Sequence, residues 1–120
     1  MEIWQNSRKL CNEIFILSKK DEFSRDFRFK SQILSSAGSD MDNIAEGFER
    51  DGNNEFKQFL AVSKGSCGET RSQLYRALDF GYITEDEANP LIEEYQNLSG
   101  KIKNFITYLK NSDFKGNKFK

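Results

Sequence analysis

The chain has 120 residues, with 18 Lys and Arg against 19 Asp and Glu, so its net charge of −1 gives no general attraction for nucleic acid. It has no histidine, and it therefore lacks the commonest general base and the commonest nitrogen ligand for metal ions. The length suits one domain, and no apolar run resembles a secretion leader or approaches the ~20 residues that cross a bilayer, so we expect a cytoplasmic protein.

Apolar residues recur at helical spacing along most of the chain and predict four amphipathic helices. Their approximate ranges are 2–19, 27–49, 55–80 and 84–110. Gly52 and Gly81 are predicted stops, and Thr84 with Glu87 fits a capping box before the fourth helix. Pro90 follows the first turn of that helix, which predicts a kink or a later helix start.

Short links between amphipathic helices favour an all-α fold, an antiparallel up-and-down four-helix bundle over residues 1–112. Residues 113–120 are basic, and we expect them to form a mobile tail. On the second helix the core side is predicted to include Met41, Ile44, Ala45 and Phe48. The third helix places Cys67 on its core stripe, and both it and Cys11 are predicted to be reduced thiols.

A second set of small and polar residues falls off these core stripes, on the second and third helices. Two interpretations stay open: a solvated outer face, or a second contact surface between helices or between subunits. Glycine weakens a helix, and solvent exposure gives no reason to retain it, which favours contact. The predicted interhelix or intersubunit contact residues are Asn43, Glu46, Gly47, Gly65, Ser66, Glu69 and Gln73.

The sequence contains few residue patterns that could support catalysis. A di-metal bundle needs inward Glu residues and Glu-x-x-His motifs, and a nucleophilic Cys67 would need an activating base. A hydrolase with paired carboxylates stays open, but no spacing selects a pair. We therefore predict no enzyme, no cofactor and no metal. The candidate nucleic-acid contacts are the basic residues Arg8, Lys9, Lys19, Lys20, Lys115, Lys118 and Lys120.

Several segments, taken in order, carry a resemblance to a known family. They are "IWQNSRKL" at 3–10, "NIAEGFER" at 43–50, "EFKQFL" at 55–60, "KGSCGETRSQL" at 64–74 and "ALDFGYI" at 77–83. The chain resembles the bundle proteins encoded by intervening sequences of bacterial 23S ribosomal RNA genes, often labelled S23 ribosomal proteins. The resemblance implies an antiparallel four-helix bundle, a homopentameric ring and no catalytic residues.

The same resemblance brings in similar bundles, the accessory variability determinants of diversity-generating retroelements, which bind a reverse transcriptase and RNA. Our leading hypothesis is a non-enzymatic, self-associating assembly or adaptor module. The alternative is a nucleic-acid-binding accessory protein of a reverse transcriptase or of ribosomal RNA.

Overall fold

The computed structural model describes the backbone of residues 1–119 and the side chains of residues 1–112. This part of the chain forms helices joined by short turns and contains no strand. The helices are α1 (Glu2–Leu17), α2 (Asp21–Arg25), α3 (Phe27–Phe48), α4 (Asn53–Asp79) and α5 (Glu85–Phe119). None of them, as far as it is described, is long and apolar enough to cross a membrane.

The four long helices form an up-and-down bundle, as predicted. α3 packs between α1 and α4, and α5 packs against both α4 and α1, while the short α2 lies on α3. The bundle is a rod of 57 × 22 × 18 Å. Its length follows from helices of 22 to 35 residues at about 1.5 Å per residue.

The turn between α4 and α5 has the local chemistry that its sequence predicts. Gly81 has a φ of +78°, which side chains disfavour, and the amide of Tyr82 donates to the Ala77 carbonyl at 2.9 Å. The Glu87 amide donates to Thr84 Oγ1 at 3.2 Å, and the Thr84 amide donates to Glu87 Oε1 at 2.9 Å, which confirms the capping box. The helix begins at Glu85 and continues through Pro90, so the later start was wrong.

Helix α2 was missed by the prediction because five residues are too few to show a period. Its one buried residue, Phe23, is 1% exposed. The Phe23 ring lies 5.5 Å from the ring of Phe29 and 5.6 Å from that of Tyr82, measured between centroids. Asp26 follows α2 and is the N-cap of α3. Its carboxylate accepts hydrogen bonds from the Phe29 amide at 3.1 Å and from the Tyr82 hydroxyl at 2.6 Å. These two bonds hold the pKa of Asp26 below its usual value.

The buried face of α3 differs from the predicted one. Ala45 is exposed and Phe48 is 60% exposed, whereas Asp40 and Gly47 are buried. The prediction centred the face on apolar residues alone. In the bundle α3 has α1 on one side and α4 on the other, so its buried arc takes in small and polar positions that face α4.

Candidate contact surface on α3 and α4

Hydroxyl and amide side chains line the seam between α3 and α4. Ser36 Oγ donates to Gln73 Oε1 at 2.5 Å and lies 2.8 Å from Thr70 Oγ1. One helical turn further along, Ser66 Oγ donates to Ser39 Oγ at 3.0 Å. Because each of these groups has a partner on the facing helix, the polar seam joins the two helices within one chain.

The Gln73 amide contributes its oxygen to this seam. The residue is 4% exposed and its Oε1 accepts from Ser36, while its Nε2 is not one of the buried atoms that lack a hydrogen-bond partner among the described residues. It borders an open groove of about 450 Å³ between α3 and α4. The residues that line this groove, hereafter the polar groove, are Ser31, Gln32, Ser35, Ser36, Glu69, Ser72, Gln73 and Arg76.

Opposite charges lie on the rim of the polar groove, at Glu69 and Arg76. Both side chains are exposed, and they are seven residues apart, which is about two helical turns or 10 Å along α4. The Arg76 guanidinium lies over the Phe29 ring, 5.2 Å from its centroid. At Gly65, a Cβ would meet nothing within 4 Å, so no close approach within this chain requires glycine there.

Gly47 lies at a close approach between α3 and α4. A Cβ at this position would be 2.8 Å from Phe59 Cβ, 2.9 Å from Phe56 Cδ1 and 3.3 Å from the Phe56 carbonyl oxygen. Atoms do not approach this closely in native packing, and two of the three belong to backbone or to a Cβ that moves only with its backbone. Gly47 is therefore required by the packing of α3 against α4 within the chain.

The predicted contact residues thus divide between the interior and the surface. Gly47, Ser66 and Gln73 make contacts between α3 and α4, as the interhelix alternative predicted, but they are buried there rather than off the core side, because the seam itself is polar. Asn43 is half-buried and donates to the Ser39 carbonyl at 2.8 Å. Three others are exposed: Gly65, Glu69 and Glu46, whose carboxylate accepts at 2.6 Å from Arg50, which lies just beyond the end of α3.

The basic residues of α1 border a second groove, of about 930 Å³, between α1 and α3. Arg8 and Lys9 lie on it beside Phe15, which is 44% exposed, and Lys19 Nζ lies 4.5 Å from the Phe15 ring centroid. Lys20 is instead paired with Glu87, with Nζ 2.6 Å from Oε2. The side chains of residues 113–120, including Lys115, Lys118 and Lys120, lie outside those described. The backbone of 113–119 belongs to α5, and the mobility of this tail stays a prediction.

A buried carboxyl group, Asp40, was missed by the sequence reasoning. It is fully buried near the middle of α3, where Ser63 Oγ lies 2.6 Å from Oδ1 and Cys67 Sγ lies 3.1 Å from Oδ2. Burial raises the pKa of Asp40, and burial together with the adjacent carboxyl raises the pKa of the Cys67 thiol, which makes it a poor nucleophile. The spacing carried a signal, since Ile33, Ala37, Asp40 and Ile44 share one helical stripe.

No group of three or more metal-binding side chains lies together among the residues whose side chains are described. The candidate functional features of the described residues include the polar groove, the α1–α3 groove and the buried Asp40.

The comparisons with known proteins identify the family. A solved structure from Bacteroides thetaiotaomicron, described as a protein with unknown function from the S23 ribosomal protein family, superposes with a TM-score of 0.81 and 22% identity. The match covers 87% of this chain and 97% of that one, and it shows a shared fold. No curated protein matches the chain. The model of the 23S rRNA-intervening sequence proteins matches residues 1–104, and the chain belongs to that family.

Proposed function

We propose that this protein is a non-enzymatic module that associates with copies of itself through the polar groove. The observation that carries the proposal is the Gln73 amide, which is 4% exposed, accepts from Ser36 through Oε1 and borders the polar groove. A neighbouring copy with polar side chains in this groove would supply an acceptor for its Nε2 in place of water.

The charges on the rim support a second copy as the occupant. Glu69 and Arg76 are exposed and of opposite sign on one helix face, so two copies of α4 can pair the acid of one with the base of the other. Ser72 lies between them, and its small side chain permits close approach of a neighbouring helix. The family resemblance favours a closed ring of five such copies.

The absence of enzymatic activity is part of the same proposal. The sequence contains no histidine, and the raised pKa of the buried Cys67 thiol disfavours the nucleophilic thiolate. The polar groove holds one carboxylate, Glu69, and the described lining of the α1–α3 groove holds none. An open groove between α1 and α5 is lined by the acids Glu13, Asp86, Glu87 and Glu94. Of these, Glu87 is paired with Lys20. The missing histidine and the disfavoured thiolate support assembly rather than catalysis.

Light scattering behind size exclusion tests self-association directly. The expected mass at tens of micromolar is a multiple of the 13.9 kDa chain, and a mass of 13.9 kDa there would contradict the proposal. We expect Glu69→Arg or Arg76→Glu alone to weaken association roughly tenfold through like-charge contacts across the interface. The double exchange is expected to restore association.

The matched control is Glu93→Arg, which makes the same charge change at an exposed position of α5 outside the polar groove. It should leave the mass and the association constant unchanged. If the control and the single rim variants behave alike, the groove is not the contact surface.

A second candidate function, RNA binding, is favoured by the groove between α1 and α3. Arg8 and Lys9 lie there beside a Phe15 ring that is 44% exposed, and cations with an exposed aromatic ring are the elements that hold single-stranded nucleic acid. We infer from this arrangement that the protein could serve as an accessory factor of a reverse transcriptase or of ribosomal RNA.

The RNA hypothesis predicts salt-dependent binding. Fluorescence anisotropy with a labelled RNA that carries a single-stranded segment beside a hairpin should give weaker binding at 200 mM than at 50 mM salt, because phosphate contacts release counterions. Arg8→Glu with Lys9→Glu should abolish it, and the control Lys103→Glu on α5 should not. The absence of binding by the wild-type protein at 50 mM salt would rule the hypothesis out.

A further inference from the structure

Asp40 is a fully buried carboxyl group that neither proposed function uses. Each of the other three long helices has a polar side chain near it: α1 has the Ser7 hydroxyl, α4 has Ser63 and Cys67, and α5 has the Tyr95 phenol. Ser7 Oγ and Tyr95 Oη are themselves buried, and neither has a partner within normal hydrogen-bond geometry among the described residues. The interior of this bundle therefore contains a polar cluster around one acid.

Two full hydrogen bonds at Ser63 require one more proton than the hydroxyl has. Ser63 Oγ lies 2.8 Å from the Asp40 carbonyl oxygen and 2.6 Å from Asp40 Oδ1, and both of these oxygens are acceptors when the carboxyl group is ionised. A hydroxyl donates only one hydrogen. If it donates to the carbonyl, the 2.6 Å contact is a hydrogen bond only when Oδ1 carries a proton and donates to Ser63. With an ionised carboxylate, the single hydrogen would have to be shared between both oxygens in a bifurcated bond, whereas a protonated Oδ1 supplies a full hydrogen bond for each contact.

No positive side chain is paired with the Asp40 carboxyl group among the described residues. None of their ion pairs includes Asp40. On α4, Lys64 and Arg71 lie close enough to lower the pKa of the neighbouring Cys67 thiol, but burial raises that pKa by more. The facing groups of α1 and α5, Ser7 and Tyr95, are neutral, and the half-buried thiol of Cys11 is the other titratable group of α1 near the carboxyl. A buried unpaired carboxylate is strongly unfavourable, so the neutral form is preferred.

We propose that Asp40 is a neutral carboxylic acid in the folded protein, that its Oδ1–H donates to Ser63 across the α3–α4 seam, and that its ionisation loosens this seam as pH rises. The proton leaves to solvent when the seam opens, and it returns from solvent when the seam closes. The packing contact between α3 and α4 is thus sensitive to pH.

The sign of the pH dependence follows from the direction of the shift. Burial raises the pKa of Asp40 in the folded chain above its unfolded value, so the folded state binds more protons than the unfolded state between the two pKa values. The contribution of Asp40 to the free energy of unfolding is complete below the pKa of this group in the unfolded chain. It is lost as pH rises through that window to the folded pKa, above which no further loss occurs.

The test compares wild-type protein with Asp40→Asn by urea unfolding between pH 4 and pH 9, at one protein concentration. The Asn amide donates to Ser63 as the acid does and does not titrate. We expect the wild-type folding constant to fall relative to Asp40→Asn by up to tenfold per pH unit within the window. Asp42→Asn, the control at an exposed aspartate of α3, should keep the wild-type pH dependence.

Carbon-13 NMR of aspartate-labelled protein gives an independent readout that needs no change in stability. The carboxyl signal absent from Asp40→Asn should keep the shift of a protonated acid at pH 5, where a free aspartate is ionised. An ionised shift at pH 5, or parallel unfolding curves for wild type and Asp40→Asn, would overturn the proposal. If Asp40→Asn does not fold, Ser63→Ala assigns the signal instead, as it perturbs the group that contacts Oδ1.

Discussion

A Phe23→Ala variant is expected to lose about 3–5 kcal/mol of unfolding free energy, the usual cost of truncating a buried Phe. Phe23 is 1% exposed and packs against the rings of Phe29 and Tyr82, at 5.5 and 5.6 Å between centroids. It is also the one buried residue of α2, so its loss removes the anchor of that helix. Urea unfolding monitored by circular dichroism measures the change.

The matched control for Phe23 is Phe27→Ala, the same substitution four residues later. Phe27 is 76% exposed at the first residue of α3, and surface changes of this kind usually stay within about 0.5 kcal/mol. All measurements should use one protein concentration, because self-association would make the apparent stability concentration-dependent. Equal losses at the two positions would mean that α2 does not dock through Phe23.

Gly47→Ala is expected to destabilise the protein by about 1–3 kcal/mol, the range found for overpacked sites. The new Cβ would be 2.8 Å from Phe59 Cβ and 3.3 Å from the Phe56 carbonyl oxygen, and relief requires α3 and α4 to separate. Alanine improves helix propensity by about 0.5–1 kcal/mol, which offsets part of this cost. A larger loss for Gly47→Val would confirm that the added volume is responsible.

Gly38→Ala on the same helix provides the control for Gly47→Ala. Its Cβ would meet nothing within 4 Å, so only the propensity gain of about 0.5–1 kcal/mol remains and the variant should be more stable than wild type. Thermal unfolding of the two variants side by side should therefore give shifts of opposite sign. Stabilisation by both substitutions would contradict the close approach at Gly47.

The burial of Gly47 and Gln73 changes the interpretation of the predicted contact surface. Gly47 is a predicted contact residue because glycine weakens a helix and solvent exposure gives no reason to retain it. The contact that requires glycine is with α4 of the same chain. Gln73 was selected as a polar residue off the core, and it is buried with one side of its amide bonded and the other facing the polar groove. Glu69 and Arg76 remain on the surface, where a neighbouring copy could pair with them.

Helix positions, the turns and the family could be predicted from the sequence, because each depends on residues close together in the chain. The capping box of Thr84 and Glu87 and the stop at Gly81 are satisfied within a few residues. The long helices have periodic patterns that extend over several turns, so the predicted ends differ from the structure by about two residues or fewer, except that α5 continues to Phe119 rather than ending near residue 110. The five residues of α2 were too short for such a pattern.

Which side of α3 is interior was decided by the tertiary structure alone. A helix wheel ranks faces by hydrophobicity, but the α3–α4 seam is closed by hydroxyls, an amide and an acid that satisfy one another. Their burial becomes favourable only when both helices are present, so neither helix taken singly shows it. The sequence by itself determined a helical bundle of this family, whereas the packing of α4 on α3 decided that Asp40 is buried and that Gln73 borders the polar groove.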